Sequence, residues 1–360
     1  LWSIATFQPE HVLEGHADLI RDIKWDPSGS RLASTDFRGA TVYIWDSATG
    51  DLLIALEGHT TGINNVAWMP EDSNIAANYF DGTVLVWDAG LRSVISRTPL
   101  DAAFISWSND WSRVAGLSRS SEHPTVWNWA ELYEDNQTMI STTGLDAGQY
   151  LVMEYRPYLY DVSSVTWNPN GQQIAVSSLD GRVYILDAAT GSEIFVLEGT
   201  ENSFAEAWQV AWSPDGSRLA GLIHGLGIQI WNTNDGTADG MLSPVDEWIW
   251  RIAWSPDGKY LVGGTVQGDI ILWDASTHVL IFETSGHADG VNALAWHPNS
   301  NILASGSYDG TIILWDVNTG KAIETLTGHN GPVTALAWDS DGTQLASGGE
   351  DGTIRIWANE

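Results

Sequence analysis

Residues 303–316 read LASGSYDGTIILWD; the stretch returns 42 residues later as LASGGEDGTIRIWA and stands 42 residues earlier as LVGGTVQGDIILWD. Each copy has an apolar run, a turn built on Gly and, in most copies, Asp, and a second apolar run ending on Trp. Successive side chains of a strand point to opposite faces, and Gly supplies the positive φ of a tight turn, so the stretch reads as two antiparallel strands. A unit that recurs at fixed spacing is a building block before it is a chemical site.

Working outward, a further run precedes each of these. Eight copies read DIKWDPSGSRLAST, NVAWMPEDSNIAAN, FISWSNDWSRVAGL, SVTWNPNGQQIAVS, QVAWSPDGSRLAGL, RIAWSPDGKYLVGG, ALAWHPNSNILASG and ALAWDSDGTQLASG. Their leading tryptophans, Trp25, Trp68, Trp107, Trp167, Trp212, Trp254, Trp296 and Trp338, are spaced 43, 39, 60, 45, 42, 42 and 42 residues apart. The third run ends on Trp45, Trp87, Trp127, Trp231, Trp273, Trp315 and Trp357, with Leu186 in that place in the fourth copy. A fourth run, such as LLIALEGH or AIETLTGH, leads into each copy. Four strands per repeat, no helical period and frequent turn signals predict a radial array of four-stranded sheets.

Gly-His before the first strand, SPDG in the first turn, DGT in the second and Trp-Asp at the end resemble the WD40 repeat family of β-propellers, across practically the whole chain. The resemblance implies an all-β fold. It predicts a single closed eight-bladed propeller over residues 1–360, with four antiparallel strands per blade and repeats ending near 46, 88, 128, 187, 232, 274, 316 and 358. The last copy stops at WANE, so PEHVLEGH near the N-terminus is the run expected to supply its outermost strand, leaving no unpaired blade.

The resemblance also implies a structural hydrogen-bonded tetrad in each regular blade. Two blades carry the full set: His287, Ser305, Asp309 and Trp315, then His329, Ser347, Asp351 and Trp357. The second blade keeps His59, Asp81 and Trp87 but has Ala77 for the serine; the first keeps His16, Ser34 and Trp45 but has Arg38 where Asp is expected. The middle four largely lack it. A buried Asp needs donors, and imidazole, backbone N–H and indole N–H groups make a mutually satisfying set.

The same residue types make a Ser-His-Asp hydrolase. A nucleophile has to be exposed and unique, whereas this constellation repeats in the interior, so no catalytic residue is expected. The SPDG and DSDG turns place carboxylates beside Gly as part of a calcium loop does, but no bidentate Glu follows, and plain β-turns account for them. The nine histidines show no ligand spacing. No metal or cofactor is expected.

Composition narrows the partners. With 46 acidic and 15 basic residues the formal net charge is −31, which repels polyphosphate backbones and disfavours nucleic acid. No apolar run is long enough for a membrane span, and there is no cysteine for a disulfide or thiolate site. LWSIATFQPE lacks the plan of a secretory signal, which favours the cytoplasm slightly; a chain that starts on Leu leaves a removed leader open.

Function is then expected at loop positions. The residue before each turn Asp, or its equivalent, is Phe37, Phe80, Ser120, Leu179, His224, Val266, Tyr308 or Glu350; bulky side chains at exposed tips suggest a sticky ring around the channel mouth. Their folding back onto their own blades is the competing reading. Trp208, Trp248 and Trp250, with Phe204 nearby, lead into blades that lack Gly-His, while Arg21, Arg38 and Arg251 fall in the same regions and could anchor a partner's carboxylate. The 60-residue spacing marks an insertion near 129–160 that holds Tyr133, Tyr150, Tyr155, Tyr158 and Tyr160, either a contact loop or an elongated outer strand or plug. The expectation is a non-catalytic platform for a protein or peptide, of unassigned oligomeric state, binding at the top face and channel mouth. The alternatives are a recognition domain of a larger signalling protein, such as a kinase or NTPase, and a hydrolase or lyase with a channel-mouth site.

Overall fold

A computed structural model describes residues 7–39, 41–56, 63–69, 74–79, 82–88, 93–100, 102–118, 124–129, 151–154, 162–178, 181–198, 207–223, 227–242 and 248–359. Among the described residues thirty-two strands assort into eight antiparallel sheets of four, the eight-bladed arrangement the repeats predict. In chain order, the first strands of blades 1 to 8 are Ile20–Trp25, Ile63–Trp68, Ala102–Trp107, Val162–Trp167, Ala207–Trp212, Ile249–Trp254, Val291–Trp296 and Val333–Trp338. First strands of neighbouring blades pack together at seven of the eight junctions, blade 8 against blade 1 among them, while the first strand of blade 3 lies against the second strand of blade 2.

Blade 7 shows the plan: Val291–Trp296, Ile302–Ser307, Ile312–Asp316 and Lys321–Leu326 pair in that order. In blade 8 the order is Val333–Trp338, Gln344–Gly349, Ile354–Asn359 and then Phe7–Leu13, with Leu13 opposite Ile354. The fourth strand of blade 3 is Leu151–Glu154, so an outer strand lies inside the segment expected as an insertion. The tyrosines Tyr133, Tyr150, Tyr155, Tyr158 and Tyr160 lie outside the described residues.

Second and third strands are buried on both faces because each sheet is sandwiched between two others, which is why they read as continuous apolar runs. The core is accordingly divided into eight clusters, one at each blade interface. Ile44 and Ile54 of blade 1 meet Val66 and Trp87 of blade 2, and Ile354 and Ile356 of blade 8 meet Ile20 and Trp45 of blade 1.

The leading tryptophans stitch these interfaces. Trp25 donates its indole N–H to the Ala337 carbonyl at 2.9 Å, Trp68 to Lys24 at 3.0 Å and Trp167 to Ser106 at 2.8 Å, each acceptor lying on the first strand of the preceding blade. Trp212, Trp254, Trp296 and Trp338 repeat the bond to Thr166, Ala211, Ala253 and Ala295. Trp107 departs from this pattern: its ring stacks on Trp111 at 4.8 Å and meets Trp129 edge-on at 4.6 Å.

Candidate functional site

Near the start of the first strands the register slips by one residue, skipping Arg21 in blade 1, Trp208 in blade 5, Trp250 in blade 6, Asn292 in blade 7 and Thr334 in blade 8. Such a bulge leaves one residue unpaired and re-aims its side chain, so one repeated position supplies the lead-in side chains. The tip residues are pinned to the same strand ends. Backbone N–H groups of Phe37, Val266, Tyr308 and Glu350 donate to the carbonyls of Leu19, Trp248, Gly290 and Pro332, each just ahead of its blade's first strand.

These two positions meet around blades 6, 7 and 1. The rings of Trp250 and Tyr308 lie 5.8 Å apart, and the Arg21 guanidinium sits 5.6 Å from the centre of the Phe37 ring. Arg251 donates from Nε to the Asn292 carbonyl at 3.0 Å and from Nη2 to Asn292 Oδ1 at 3.2 Å. Burial holds the Arg251 pKa below the ordinary arginine value; Tyr308 works against this and the like charge of Arg21 adds to it. Trp248, Trp250 and Phe37 are 59%, 37% and 37% exposed, so these three do not fold back into a core. Tyr308 is half-buried and Glu350 is exposed. Phe80, Leu179, His224, Ser120, Phe204 and the Trp208 side chain lie outside the described residues.

The tetrads lie just beneath. In blade 7, Trp315 donates to Ser305 Oγ at 2.7 Å, Ser305 Oγ is 2.7 Å from His287 Nε2, and His287 Nδ1 faces Thr311 Oγ1 at 2.9 Å and Asp309 at 3.5 Å. The directions that satisfy every group have the serine hydroxyl donating to Nε2 and the Nδ1 proton pointing toward the Thr/Asp side. Asp309 also accepts the backbone N–H of Ala288 at 2.7 Å, which ties the Gly-His loop to the DGT turn. Blade 8 repeats this through Trp357, Ser347, His329 and Asp351, with His329 Nδ1 3.1 Å from the carboxylate.

Blade 1 departs from the expected pattern. Asp36, two residues before Arg38, fills the acid's place: it lies 3.1 Å from His16 Nδ1, while His16 Nε2 is 2.7 Å from Ser34 Oγ and Trp45 donates to that oxygen at 2.8 Å. Asp36 accepts the N–H groups of Ala17 and Gly39, so an acid on the strand end reaches what one in the turn reaches elsewhere. Arg38 is left at the surface, paired with Asp18 at 3.3 Å. An acidic residue within two positions of the turn was the signal available in sequence.

Burial pushes the Asp309 and Asp351 carboxyls up, but the surrounding donors more than reverse it, and both end below the usual carboxylate value. Burial holds His287 and His329 below 6.5 despite the adjacent acids. At neutral pH each pair is therefore a carboxylate beside a neutral imidazole. Ser34, Ser305 and Ser347 are all 0% exposed, with the hydroxyl taken by indole and imidazole, so none can reach a substrate.

Blades 4 to 6 replace the polar set. Blade 4 has Val176 and Leu186 in the places of the serine and the tryptophan, so both hydrogen-bonding partners are gone together. In blades 5 and 6 glycine stands for the serine. A Cβ on Gly221 would fall 2.6 Å from the Trp231 ring, and one on Gly263 3.1 Å from Trp273. The Asp of Trp-Asp organises the turn that follows it. Asp274 accepts the N–H groups of Ser276 and Thr277, and the Ser276 hydroxyl and these backbone donors hold its pKa at about 2.

No group of three or more His, Asp or Glu among the described residues is placed to hold a metal ion. No helix among them is long and apolar enough to cross a membrane. The family model described as "WD domain, G-beta repeat" matches residues 7–46, 50–88, 151–187, 242–274, 278–316 and 320–358. Each match begins near an outer strand and ends on the third strand of the next blade, so a sequence repeat straddles two sheets. The chain is 27% identical to WD repeat-containing protein 1 of Bos taurus over 225 residues, 61% of this chain and 34% of that protein. It is 28% identical over 109 residues to COMPASS component SWD2 of Saccharomyces cerevisiae, covering 28% of this chain and 32% of that one. The chain thus spans about a third of the length of these relatives. In fold it is similar to the crystal structure of the computationally designed Ika8 protein, with a TM-score of 0.79, 23% identity, and 98% and 99% of the two chains covered. With well over half of its residues matched by that family model, the chain belongs to the WD40 repeat family.

Proposed function

We propose that this propeller is a non-catalytic protein-interaction platform whose partner docks on the face carrying the Gly-His loops and on the adjoining channel mouth. The observation that carries this reading is the exposure of Trp248 and Trp250 beside Tyr308 and Arg251, on backbone pinned by bulges and turn hydrogen bonds. Rigid exposed aromatics with adjacent guanidinium groups are the residues that dominate binding energy in protein interfaces. The names of similar proteins agree: one is a component of COMPASS, one a transcriptional corepressor and one a cofactor of the APC complex. Burial of the three tetrad serines supports the absence of nucleophilic catalysis there. The net charge of −31 favours protein over nucleic acid.

The test is quantitative binding of a partner co-purified from the native source. Trp250→Ala and Tyr308→Ala are each expected to weaken it by about tenfold or more. Unchanged affinity in both variants, with the fold retained, would sink the reading.

A further inference from the structure

The outer rim of blade 6 carries a second surface, away from the Gly-His loops. Its fourth strand, Leu280–Ser285, pairs with Asp269–Asp274 on one edge and, among the described residues, with no strand on the other. Val279, Leu280 and Ile281, where the chain enters this strand, are 60%, 46% and 40% exposed. On the other described outer strands the large exposed apolar side chains are Val12, Leu52, Val94, Ile194, Val196 and Ile323, no two of them adjacent in sequence. The place of Val279 is polar in its counterparts. The backbone N–H that ends the third strand donates to the carbonyl of Asp51 in blade 1, Ser192 in blade 4 and Thr237 in blade 5, as it does to Val279 in blade 6. In blade 7 Lys321 stands there, opposite Asp316. Charged and polar residues at such places keep an edge strand from pairing with other chains, and the edge of blade 6 begins without them. Ile281 is the residue skipped by the register slip between Leu272 and Trp273, a bulge that re-aims its side chain.

The neighbouring rim is low. Leu280 and Glu283 lie opposite Trp273 and Ile271, which share a core cluster with blade 5, and there the outer strand reads Ala238, Asp239, Gly240. His278, held at φ 60°, lays its ring against Gly240 and comes within 3.6 Å of the Asp239 carboxylate. Acids therefore flank the apolar run on both sides: Asp239 across the seam and exposed Glu283 along the strand. The nearby cation, Lys259, whose carbonyl accepts the Ala275 N–H, lies 4.6 Å from the centre of the Tyr260 ring.

We propose that the outer edge of blade 6 takes up an extended segment of a partner protein as a fifth strand, its apolar side chains laid on Val279, Leu280 and Ile281 and a lysine or arginine facing Asp239 and Glu283. Main-chain hydrogen bonds of an added strand supply affinity, while the side chains along it supply selection. A basic segment fits better than a second copy of this chain. Each copy carries a formal charge of −31, so pairing two of them edge to edge brings like charges together.

The experiment immobilises the full chain, selects from a random-peptide display library, and measures the enriched peptides by fluorescence polarisation. Wild type, Val279→Lys, Ile281→Lys and Trp250→Ala are compared, with thermal melts confirming that each is folded. A set of peptides should emerge that carries Lys or Arg beside alternating apolar residues. Their affinity should fall about tenfold or more with Val279→Lys and with Ile281→Lys, and stay level with Trp250→Ala. N-methylation at alternate residues of the peptide should abolish binding, and at the residues between should not, because an added strand bonds through every second N–H. If no enriched peptide responds to Val279→Lys or Ile281→Lys, the proposal is overturned; peptides that respond to Trp250→Ala instead leave the docking-face reading standing. Equal tolerance of N-methylation at every position overturns strand addition, and rim-dependent peptides without basic residues overturn the charge assignment. A dimer in sedimentation velocity that Ile281→Lys dissolves overturns the proposal in favour of a second copy.

Discussion

Blades 7, 8 and 1 and blades 4, 5 and 6 solve one packing problem in two ways. In the first group a buried serine gathers an indole, an imidazole and, through that imidazole, an acid from the DGT turn or the strand end before it. In the second, the serine is Val176, Gly221 or Gly263, and its third-strand partner is Leu186, Trp231 or Trp273. All six partners are at most 2% exposed, so the two solutions bury their third strand equally well. Blade 4 removes serine and indole together, whereas blades 5 and 6 keep an indole with no serine to meet it. A half-made network leaves a buried group unsatisfied, whereas replacing every member with apolar groups is close to neutral. Freed of the Gly-His loop, blade 6 carries exposed Trp248 and Trp250 at the same level.

The comparison can be broken most sharply at Trp315. Trp315→Ala should cost about 3–5 kcal/mol in denaturant unfolding, since it opens a cavity and orphans Ser305. Trp231→Phe should cost less than Trp315→Phe, because no protein acceptor for the Trp231 indole N–H is present among the described residues; equal losses would refute the distinction. Next comes Ser347→Ala, which strips His329 and Trp357 of their shared partner and should cost about 1–3 kcal/mol. Gly221→Ser does not install the network in blade 5. Its Cβ meets the Trp231 ring, and about 1–3 kcal/mol of destabilisation is expected; a gain in stability would show that the ring can move aside.

A smaller effect is expected with pH. The folded-state pKa values of His287 and His329 lie below 6.5, so the unfolded chain takes up protons first and stability falls as pH drops below 6.5. The depressed carboxyls of Asp36, Asp309 and Asp351 add to the loss below 3.8. An unfolding midpoint that stays level between about pH 7.5 and 5 would contradict this. Smallest of all, Arg38→Ala should change stability by less than about 0.5 kcal/mol, since its ion pair with Asp18 lies in solvent.

The blades were legible because eight copies average out local noise: strand periodicity and turn residues recur where a single copy would be ambiguous. The positions of Phe37, Tyr308 and Trp250 at strand ends were legible for the same reason. What sequence could not show were contacts made across the ring. The Trp250 ring of blade 6 meets the Tyr308 ring of blade 7, and no local pattern joins them. The Asp36 substitution was hidden because a shift of two residues changes the backbone route while leaving the carboxylate in place. The leading tryptophans were conspicuous, but their acceptors are main-chain carbonyls one blade back, which any residue type can supply.

That last bond gives the molecule seven internal clocks. Each of the seven indole protons bonded to the preceding blade is released to solvent only when its own interface opens. Hydrogen exchange followed at the indole resonances would therefore time the breathing of each interface separately. At the junction of blades 2 and 3 Trp107 stacks on Trp111, and among the described residues no such indole bond is present there to serve as a timer.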